Sequence, residues 1–330
     1  MPAAARGLLF PLSLAYGWIT RARVAAYQRG WLKQHRLKGP VISVGNLTVG
    51  GTGKTPMVLW LAERFLSAGK RVAILSRGYK GTAGSSDEVR MLKERLGERV
   101  VFGVGADRFQ EGQRIEAQQS IDVFLLDDGF QHLQLARDID VVMLDGSRPL
   151  EHEALLPIGT LREPVAAWQR ADLLVVTRKR ERLDLQGAET RPLFYAETRL
   201  LGFREIGQAG MAGCSSEIPV RPLLGFCGIG NPEGFYADLE RWNVPLAGRV
   251  SFPDHHRYSD GDLAKLTREA ARAGAQALVT TEKDEQNLPK GRDPLKLPVY
   301  VAVMQLALSA ESAFSAALDR LLDRKRGAAA

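Results

Sequence analysis

The chain has 330 residues, 45% hydrophobic and 25% charged, a composition typical of a globular protein with room for about two domains. Its two cysteines, Cys214 and Cys227, exclude a disulfide framework and indicate a reducing compartment. The net charge is +7, but eight of the 45 basic residues precede Glu63, the first acidic residue. The rest of the chain is almost neutral, which argues against a nucleic-acid partner and for a local anionic one.

The first 38 residues combine an apolar stretch with a basic one. Residues 7–19 are apolar but shorter than the roughly 20 residues of a membrane-spanning helix. A signal peptide is disfavoured by the single preceding charge and the lack of a clear cleavage site, which leaves a core helix or an interfacial segment. Cations and aromatic rings follow, namely Arg21, Arg23, Tyr27, Arg29, Trp31, Lys33, Arg36 and Lys38. Because this mixture suits the headgroups of an anionic membrane, we predict membrane-surface attachment rather than a solvated basic helix.

Residues 40–56, PVISVGNLTVGGTGKTP, have the form of a phosphate-binding loop. A β-branched run predicts a strand over 41–44, and apolar residues at helical spacing follow the loop. The predicted nucleotide contacts are Thr48, Val49, Gly50, Gly51, Thr52, Gly53, Lys54 and Thr55. Lys54 can reach the β- and γ-phosphates of ATP, and the Thr55 hydroxyl can bind Mg²⁺. Thr48 stands where G-x-x-x-x-G-K-[ST] has its first glycine, and the alternative reading is a simple glycine-rich turn.

Strand and helix patterns alternate after the loop. Strands are predicted over 71–76, 100–103, 122–128, 140–145, 173–177, 277–281 and 299–303, and helices over 107–119, 232–242, 262–273 and 310–325. The alternation predicts an α/β fold with a mainly parallel sheet. We expect a membrane-surface helix within 1–38 and a P-loop NTPase-like domain over 39–200. A connector over 201–220 and a second, smaller α/β domain over 221–330 follow, and the last helix can pack back on the first domain.

Two groups of carboxylates are candidates for chemistry. Asp127 and Asp128 end an apolar strand, the place where nucleotide-binding folds hold Mg²⁺. Asp87 and Glu88 follow Ser86. From the residues alone they favour a helix N-terminus, and the functional alternative is a proton acceptor in phosphoryl transfer.

Two loops carry further candidates. Adjacent His255 and His256 can provide a base or lie on the surface, and the lack of a nearby cysteine or third histidine disfavours a metal site. Arg162 and Glu163 favour an exposed ion pair, while the functional alternative places Arg162 at the γ-phosphate and Glu163 in the metal shell.

Taken together, the motifs resemble those of the tetraacyldisaccharide 4′-kinases, the lipid A 4′-kinases. They extend in order from residue 11 to residue 284: PLSLAYG, VGNLTVGGTGKTP, SRGYKG, DDGFQH, LARDID, LPIGTLREP, GIGNP, FPDHHRY and TEKD. The resemblance implies ATP-dependent phosphorylation of the 4′-hydroxyl of a lipid-linked glucosamine disaccharide. It also implies a peripheral protein on the cytoplasmic face of the inner membrane, with two α/β lobes and the active site between them. We expect it to act as a monomer.

The resemblance also implies roles for individual residues. Lys54 and Thr55 would bind ATP and Mg²⁺, and Asp87 would be the base, assisted by His255. The remaining active-site residues would be Arg77, Glu88, Asp127, Asp128, Arg162 and Glu163, with Asp128 and Glu163 as metal ligands. The family's G-D-E-P stretch reads Ser86-Asp87-Glu88-Val89 here. The alternatives are a kinase or ligase for a soluble metabolite and a nucleotide-gated, membrane-associated switch.

Overall fold

A computed structural model of the chain describes residues 3–78, 86–147, 150, 153–178, 190–208, 213–289 and 297–327. The second half of the SRGYKG motif and part of the predicted connector lie outside these residues. The helices are α1 (Ala3–Gln28), α2 (Lys54–Ser67), α3 (Asp87–Leu96), α4 (Arg108–Gln118), α5 (Pro232–Arg241), α6 (Asp260–Ala273), α7 (Glu282–Glu285) and α8 (Glu311–Gly327). The strands are β1 (Val41–Asn46), β2 (Val72–Ser76), β3 (Val100–Val104), β4 (Val123–Asp127), β5 (Ile139–Asp145), β6 (Leu173–Thr177), β7 (Leu193–Glu205), β8 (Leu223–Cys227), β9 (Leu246–Ser251), β10 (Ala277–Thr281) and β11 (Val299–Leu308).

The chain forms two compact units. Unit 1 comprises Met1–Gly78, Glu98–Glu197 and Leu306–Ala330, and unit 2 comprises Tyr79–Gly97 and Thr198–Gln305. Two of the four boundaries therefore fall inside strands, one in β7 and one in β11. Relative to the predicted division, α3 belongs to unit 2, α8 belongs to unit 1, and the described part of the predicted connector lies within unit 2.

Parallel strands form the sheet of each unit, so the predicted α/β fold class is confirmed. In unit 1 the order is β3-β2-β4-β1-β5-β6-β7, and in unit 2 it is β11-β10-β8-β9. Neighbouring strands pair in parallel, for example β1 with β4 and β10 with β11. Strand β9 was not predicted from the sequence, because only Val250 among its six residues is buried. It pairs with β8 as an edge strand, so it lacks the apolar run of a central strand.

Glycine sets the close packing beside β1. A Cβ atom added to Gly45 would lie 2.4 Å from Cβ of Phe130 and 2.7 Å from its backbone nitrogen. Because Phe130 lies in the turn after β4, the absence of a side chain at Gly45 lets this turn pack against β1. This turn carries Asp128.

Helix α8 completes unit 1. Phe314 is fully buried and makes edge-to-face contacts with Trp60 of α2 and Phe194 of β7, at centroid distances of 5.4 and 5.1 Å. Arg64 donates two hydrogen bonds to the Asp319 carboxylate, at 2.8 and 2.7 Å. The C-terminal helix therefore packs within the unit that contains the phosphate loop.

Helix α1 turns its small residues toward the rest of unit 1. Ser13 and Gly17 are buried, and the Ser13 hydroxyl donates to the carbonyl of Leu155 at 3.0 Å. The large apolar side chains on the same helix are exposed: Phe10, Leu12, Leu14, Trp18 and Ile19, between 50% and 71%. A core helix, one of the two interpretations of residues 7–19, therefore does not fit. Within the described part of the chain, no helix has the length and apolarity needed to cross a membrane.

Candidate active site

The glycine-rich loop lies between β1 and α2 in unit 1 and has an open side. Gly50 and Gly53 have φ angles of 126° and 90°, values that residues other than glycine rarely adopt. A Cβ atom added to Gly50 or Gly51 would meet nothing within 4 Å. No side chain caps the N-terminus of α2, where Gly53 is the N-cap residue. Backbone N–H groups and the positive end of the helix dipole are therefore available to an anion.

Side chains from neighbouring elements hold the loop in shape. The Asn46 amide donates to the Thr52 hydroxyl at 3.0 Å, and the Thr177 hydroxyl donates to the carbonyl of Thr52 at 3.2 Å. Thr48 forms an isolated antiparallel bridge with Leu161. Its backbone is therefore extended, which explains why glycine is not needed at the first position of the motif.

Lys54 and Arg162 converge on one carboxylate, that of Asp128. The Lys54 ammonium lies 3.6 Å from Asp128, and Nη1 of Arg162 donates to both carboxylate oxygens at 2.8 Å. Partial burial raises the pKa of Asp128, but Lys54 and Arg162 outweigh it and hold the pKa below its usual value. Asp128 is therefore ionised at neutral pH and presents oxygen ligands beside the phosphate loop.

Glu163 occupies a different environment from that of its neighbour. It is 4% exposed and accepts hydrogen bonds from Arg170 at 2.7 and 3.0 Å and from the Gln131 amide at 3.2 Å. The sequence favoured an exposed Arg162–Glu163 pair, but each residue has a separate partner. A metal role for Glu163 would require its bonds to Arg170 to open.

The remaining predicted residues of unit 1 lie around these. Thr55 is half-buried in the first turn of α2, and Arg77 is exposed after β2. Asp127 is buried and accepts from the Ser76 hydroxyl at 3.5 Å. Arg108, a buried residue of α4, was not predicted from the sequence. Burial and the neighbouring Arg77 lower its pKa, while Asp128 and Asp127 oppose the change.

In unit 2, Asp87 and His255 form a close pair. Nδ1 of His255 lies 3.0 Å from each oxygen of the Asp87 carboxylate, and the Asp87 side chain is only 4% exposed. The Ser86 hydroxyl caps α3, so Asp87 also opens the helix as the sequence predicted. Burial raises the pKa of Asp87. The hydrogen bond from His255 and the charge of Lys283 lower it by more, so the pKa is below its usual value. The same hydrogen bond raises the pKa of His255.

Two side chains that the sequence did not single out complete this group. Asn287 donates to Oδ2 of Asp87 at 3.2 Å. The Lys283 ammonium lies 3.0 Å from Asp254 and 3.8 Å from Glu88. The TEKD motif supplies Lys283, but no local pattern in the sequence places it near Asp87.

Asp284 fixes the turn that presents His255. His255 has a φ angle of 61°, and its N–H donates to the carbonyl of Gly228 at 3.1 Å. The N–H of Gly228 in turn donates to Asp284 at 2.7 Å, and the Tyr258 hydroxyl donates to the same carboxylate at 2.7 Å. The GIGNP, FPDHHRY and TEKD motifs therefore meet at one buried carboxylate.

The structure separates the predicted residues into two groups. Unit 1 contains the glycine loop with Lys54, Thr55, Arg77, Asp127, Asp128, Arg162 and Glu163, and unit 2 contains Asp87, Glu88 and His255. His256 stands apart from the second group because its ring contacts Asp262 at 3.1 Å. Chemically, the first group can hold a phosphate chain, and the second can accept a proton.

Comparisons with known proteins cover both groups. A family model described as LpxK, tetraacyldisaccharide-1-P 4′-kinase, matches residues 5–323. The tetraacyldisaccharide 4′-kinase of Geobacter metallireducens is 37% identical, with 96% of this chain and 98% of that protein aligned. The corresponding protein of Pelobacter propionicus is 38% identical, with coverages of 96% and 92%.

A solved structure agrees with the sequence matches. The crystal structure of LpxK from Aquifex aeolicus in complex with ATP has a TM-score of 0.73 and 31% sequence identity. The alignment covers 96% of this chain and 99% of that chain. The resemblance inferred from the motifs is therefore confirmed.

Proposed function

This chain belongs to the tetraacyldisaccharide 4′-kinase family, and from that membership we propose that it is an ATP-dependent kinase of lipid A biosynthesis. Its acceptor is the 4′-hydroxyl of a tetraacyl glucosamine disaccharide 1-phosphate. The observation that carries the proposal is the extent of the family match, over residues 5–323. The match includes both the phosphate loop of unit 1 and the Asp87–His255 pair of unit 2.

Unit 1 binds ATP in this proposal. The open side of Gly50 and Gly51 accommodates the phosphates, and Lys54 and Arg162 bring positive charge to them. The oxygen donors of Thr55 and Asp128 suit Mg²⁺, which when bound would neutralise phosphate charge. Lys54 and Arg162 keep Asp128 ionised, and its bonds to Arg162 would have to open for it to bind a metal or a metal-bound water.

Unit 2 supplies the proton acceptor. The acceptor oxygen attacks the γ-phosphorus, the bond from that phosphorus to the β-phosphate oxygen breaks, and ADP leaves. The hydroxyl proton passes to the Asp87–His255 pair, with Asp87 as the base. His255 and Asn287 hold the two carboxylate oxygens in place. This arrangement supports base catalysis because the group is fixed before the acceptor arrives.

The substrate also suggests where the enzyme works. A tetraacyl lipid resides in a membrane, and α1 exposes large apolar side chains next to basic ones. We place the protein on the cytoplasmic face of the inner membrane as a peripheral enzyme. Basic residues near α1 would favour anionic headgroups and the 1-phosphate of the substrate.

A lipid phosphorylation assay tests this function. Purified protein is incubated with ATP, Mg²⁺ and the disaccharide lipid in detergent, and mass spectrometry follows the lipid. We expect one phosphate to be added at the 4′ position. Folded, ATP-binding protein that leaves the lipid unchanged would contradict the proposal, and turnover of a soluble acceptor instead would favour a metabolite kinase.

Asp87→Asn provides the matched variant for this assay. It keeps the size of the side chain and removes the basic carboxylate, so we expect turnover to fall by roughly 10²- to 10⁴-fold. ATP affinity, measured by calorimetry, should stay unchanged because Asp87 belongs to the second group of residues. Wild-type turnover in this variant would remove Asp87 as the base.

A further inference from the structure

Lys283 lies at the centre of the charged group in unit 2, and its role rests on the proposed function of Asp87 and His255. We propose that Lys283 is a positioning residue of the phosphoryl-acceptor site: its ammonium opposes the binding of a second proton to the His255 ring, which the surrounding carboxylates favour, so that the Asp87–His255 pair stays free to take the hydroxyl proton.

The contacts of the ammonium support this role. Nζ of Lys283 lies 3.4 Å from Nε2 of His255 and 3.9 Å from Oδ2 of Asp87. It also contacts Asp254 at 3.0 Å and Glu88 at 3.8 Å. One ammonium thus faces three carboxylates and the free edge of one imidazole. Its own side chain is 19% exposed, so water screens these interactions only in part.

The hydrogen bonds of His255 define where its first proton lies. An ionised carboxylate only accepts hydrogen bonds, so Nδ1, which faces both Asp87 oxygens, carries the proton. Nε2 then holds a lone pair directed at the Lys283 ammonium. A second proton on Nε2 would place two cations 3.4 Å apart, which is unfavourable in a partly buried site.

The other charged groups around the pair act in the opposite direction. Asp87 is the main cause of the raised pKa of His255, and Asp254 adds to it, whereas burial and Lys283 oppose them. Glu88 lies 4.0 Å from Nε2 and is also anionic. Without Lys283, the carboxylates of Asp87, Glu88 and Asp254 would face the ring without this cation to offset them.

The position of Lys283 is set by its neighbours in the chain. Glu282 is buried and pairs with Arg95 at 3.1 Å. Asp284 is buried on the other side and accepts a hydrogen bond from the Thr281 hydroxyl at 2.6 Å. Because both flanking carboxylates are anchored elsewhere, Lys283 is held in place and is not a mobile surface lysine.

The cluster also has the shape of a small cation site. Within the part of the chain that the structure describes, Asp87, Glu88 and His255 place three possible ligand atoms within 4.8 Å of one another. Lys283 approaches each of these residues to within 4 Å. The positive charge that such a group attracts is therefore provided by the chain itself.

The test measures turnover against pH for the full-length enzyme with Lys283→Met, Lys283→Arg and Lys265→Met. Lys265 is an exposed lysine of the same unit, over the ring of Phe252, and controls for the loss of one charge. We expect the acidic limb of the Lys283→Met profile to move upward by about one pH unit. Lys283→Arg should restore most of the wild-type position, and Lys265→Met should match the wild type.

Side-chain ¹⁵N NMR of His255 provides a readout that needs no substrate. We expect the Nε2 resonance of His255 to titrate at a higher pH in the Lys283→Met variant than in the wild type. If His255 titrates identically in both proteins, or if turnover falls equally at every pH and in Lys283→Arg, the proposal is wrong. If the titration shifts but the wild type does not phosphorylate the lipid, the proposed function fails while the effect of Lys283 on the protonation of His255 stands.

Discussion

At the residue scale, the Asp87–His255 pair links proton binding to stability. The pKa of Asp87 is lowered from 3.8, so its contribution to stability is present above 3.8 and is lost as pH falls through the lowered value. The pKa of His255 is raised from 6.5, so its contribution is full below 6.5 and is lost as pH rises through the raised value. The ion pair therefore stabilises the protein most between these two limits.

His255→Gln tests this linkage. The difference in free energy of unfolding between wild type and variant should be largest between pH 3.8 and 6.5 and should shrink as pH rises through the pKa of folded His255. Urea denaturation at a series of pH values measures the difference. In an Asp87→Asn background the same substitution should have an effect that varies much less with pH. A constant difference in the wild-type background would contradict the ion pair.

The residues of the candidate site differed in how far the sequence could locate them. Lys54 and Thr55 follow glycines within one short motif, so their role could be predicted from local spacing. Asp87 and His255 were connected only through the family resemblance, because 168 positions separate them. Asn287 lies 200 positions from Asp87. Contacts between residues so far apart in the chain cannot be predicted from local sequence patterns.

At the element scale, α8 shows how an amphipathic helix stabilises the unit that contains the phosphate loop. Helical periodicity predicted this element, but the surface that receives it comes from α2 and β7. Phe314 fills the space between Trp60 and Phe194. Packing of this kind depends on residues distant in sequence, so periodicity predicts the helix and leaves its partners undefined.

Phe314→Ala should lower the free energy of unfolding by about 3–5 kcal/mol, because it removes a fully buried aromatic ring and leaves a cavity. Denaturant titration measures the change. Phe10→Ala is the matched control, since Phe10 is 56% exposed and its loss should have little effect. Equal effects of the two substitutions would show that α8 does not pack as described.

At the scale of the whole molecule, charge and exposed apolar surface are concentrated in one part of the chain. The basic excess precedes Glu63, and the large exposed apolar residues of α1 lie in the same region. Composition alone predicted the asymmetry of charge. It could not show that the small residues Ser13 and Gly17 would face the protein and leave Trp18 and Ile19 exposed.

A Trp18→Ser, Ile19→Ser variant tests whether this surface binds lipid. We expect its affinity for anionic vesicles to fall by at least about tenfold, because each large apolar side chain contributes about 1.5–3 kcal/mol on burial. Cosedimentation measures the affinity, and added salt should weaken the remaining binding. Ile206→Ser, at an exposed apolar residue of unit 2, is the control. Unchanged binding of the double variant would place the membrane contact elsewhere.

The division into units was predictable only in part. The sequence placed a domain change near residue 200, and a boundary falls between Glu197 and Thr198. It could not assign α3 to unit 2 or predict that β9 is an edge strand, because both depend on which segments meet in space. Alternating strands and helices give the same local pattern in either unit.

The interleaving of the two units also bears on how the protein is made. The chain passes from one unit to the other at four points, so neither unit is completed by a single continuous segment. On the ribosome, unit 1 begins first but waits for α8, which emerges after the whole of unit 2. Until then the apolar surfaces of Trp60 and Phe194 lack their contact with Phe314. Folding of unit 1 is therefore expected to finish only after α8 has left the ribosome.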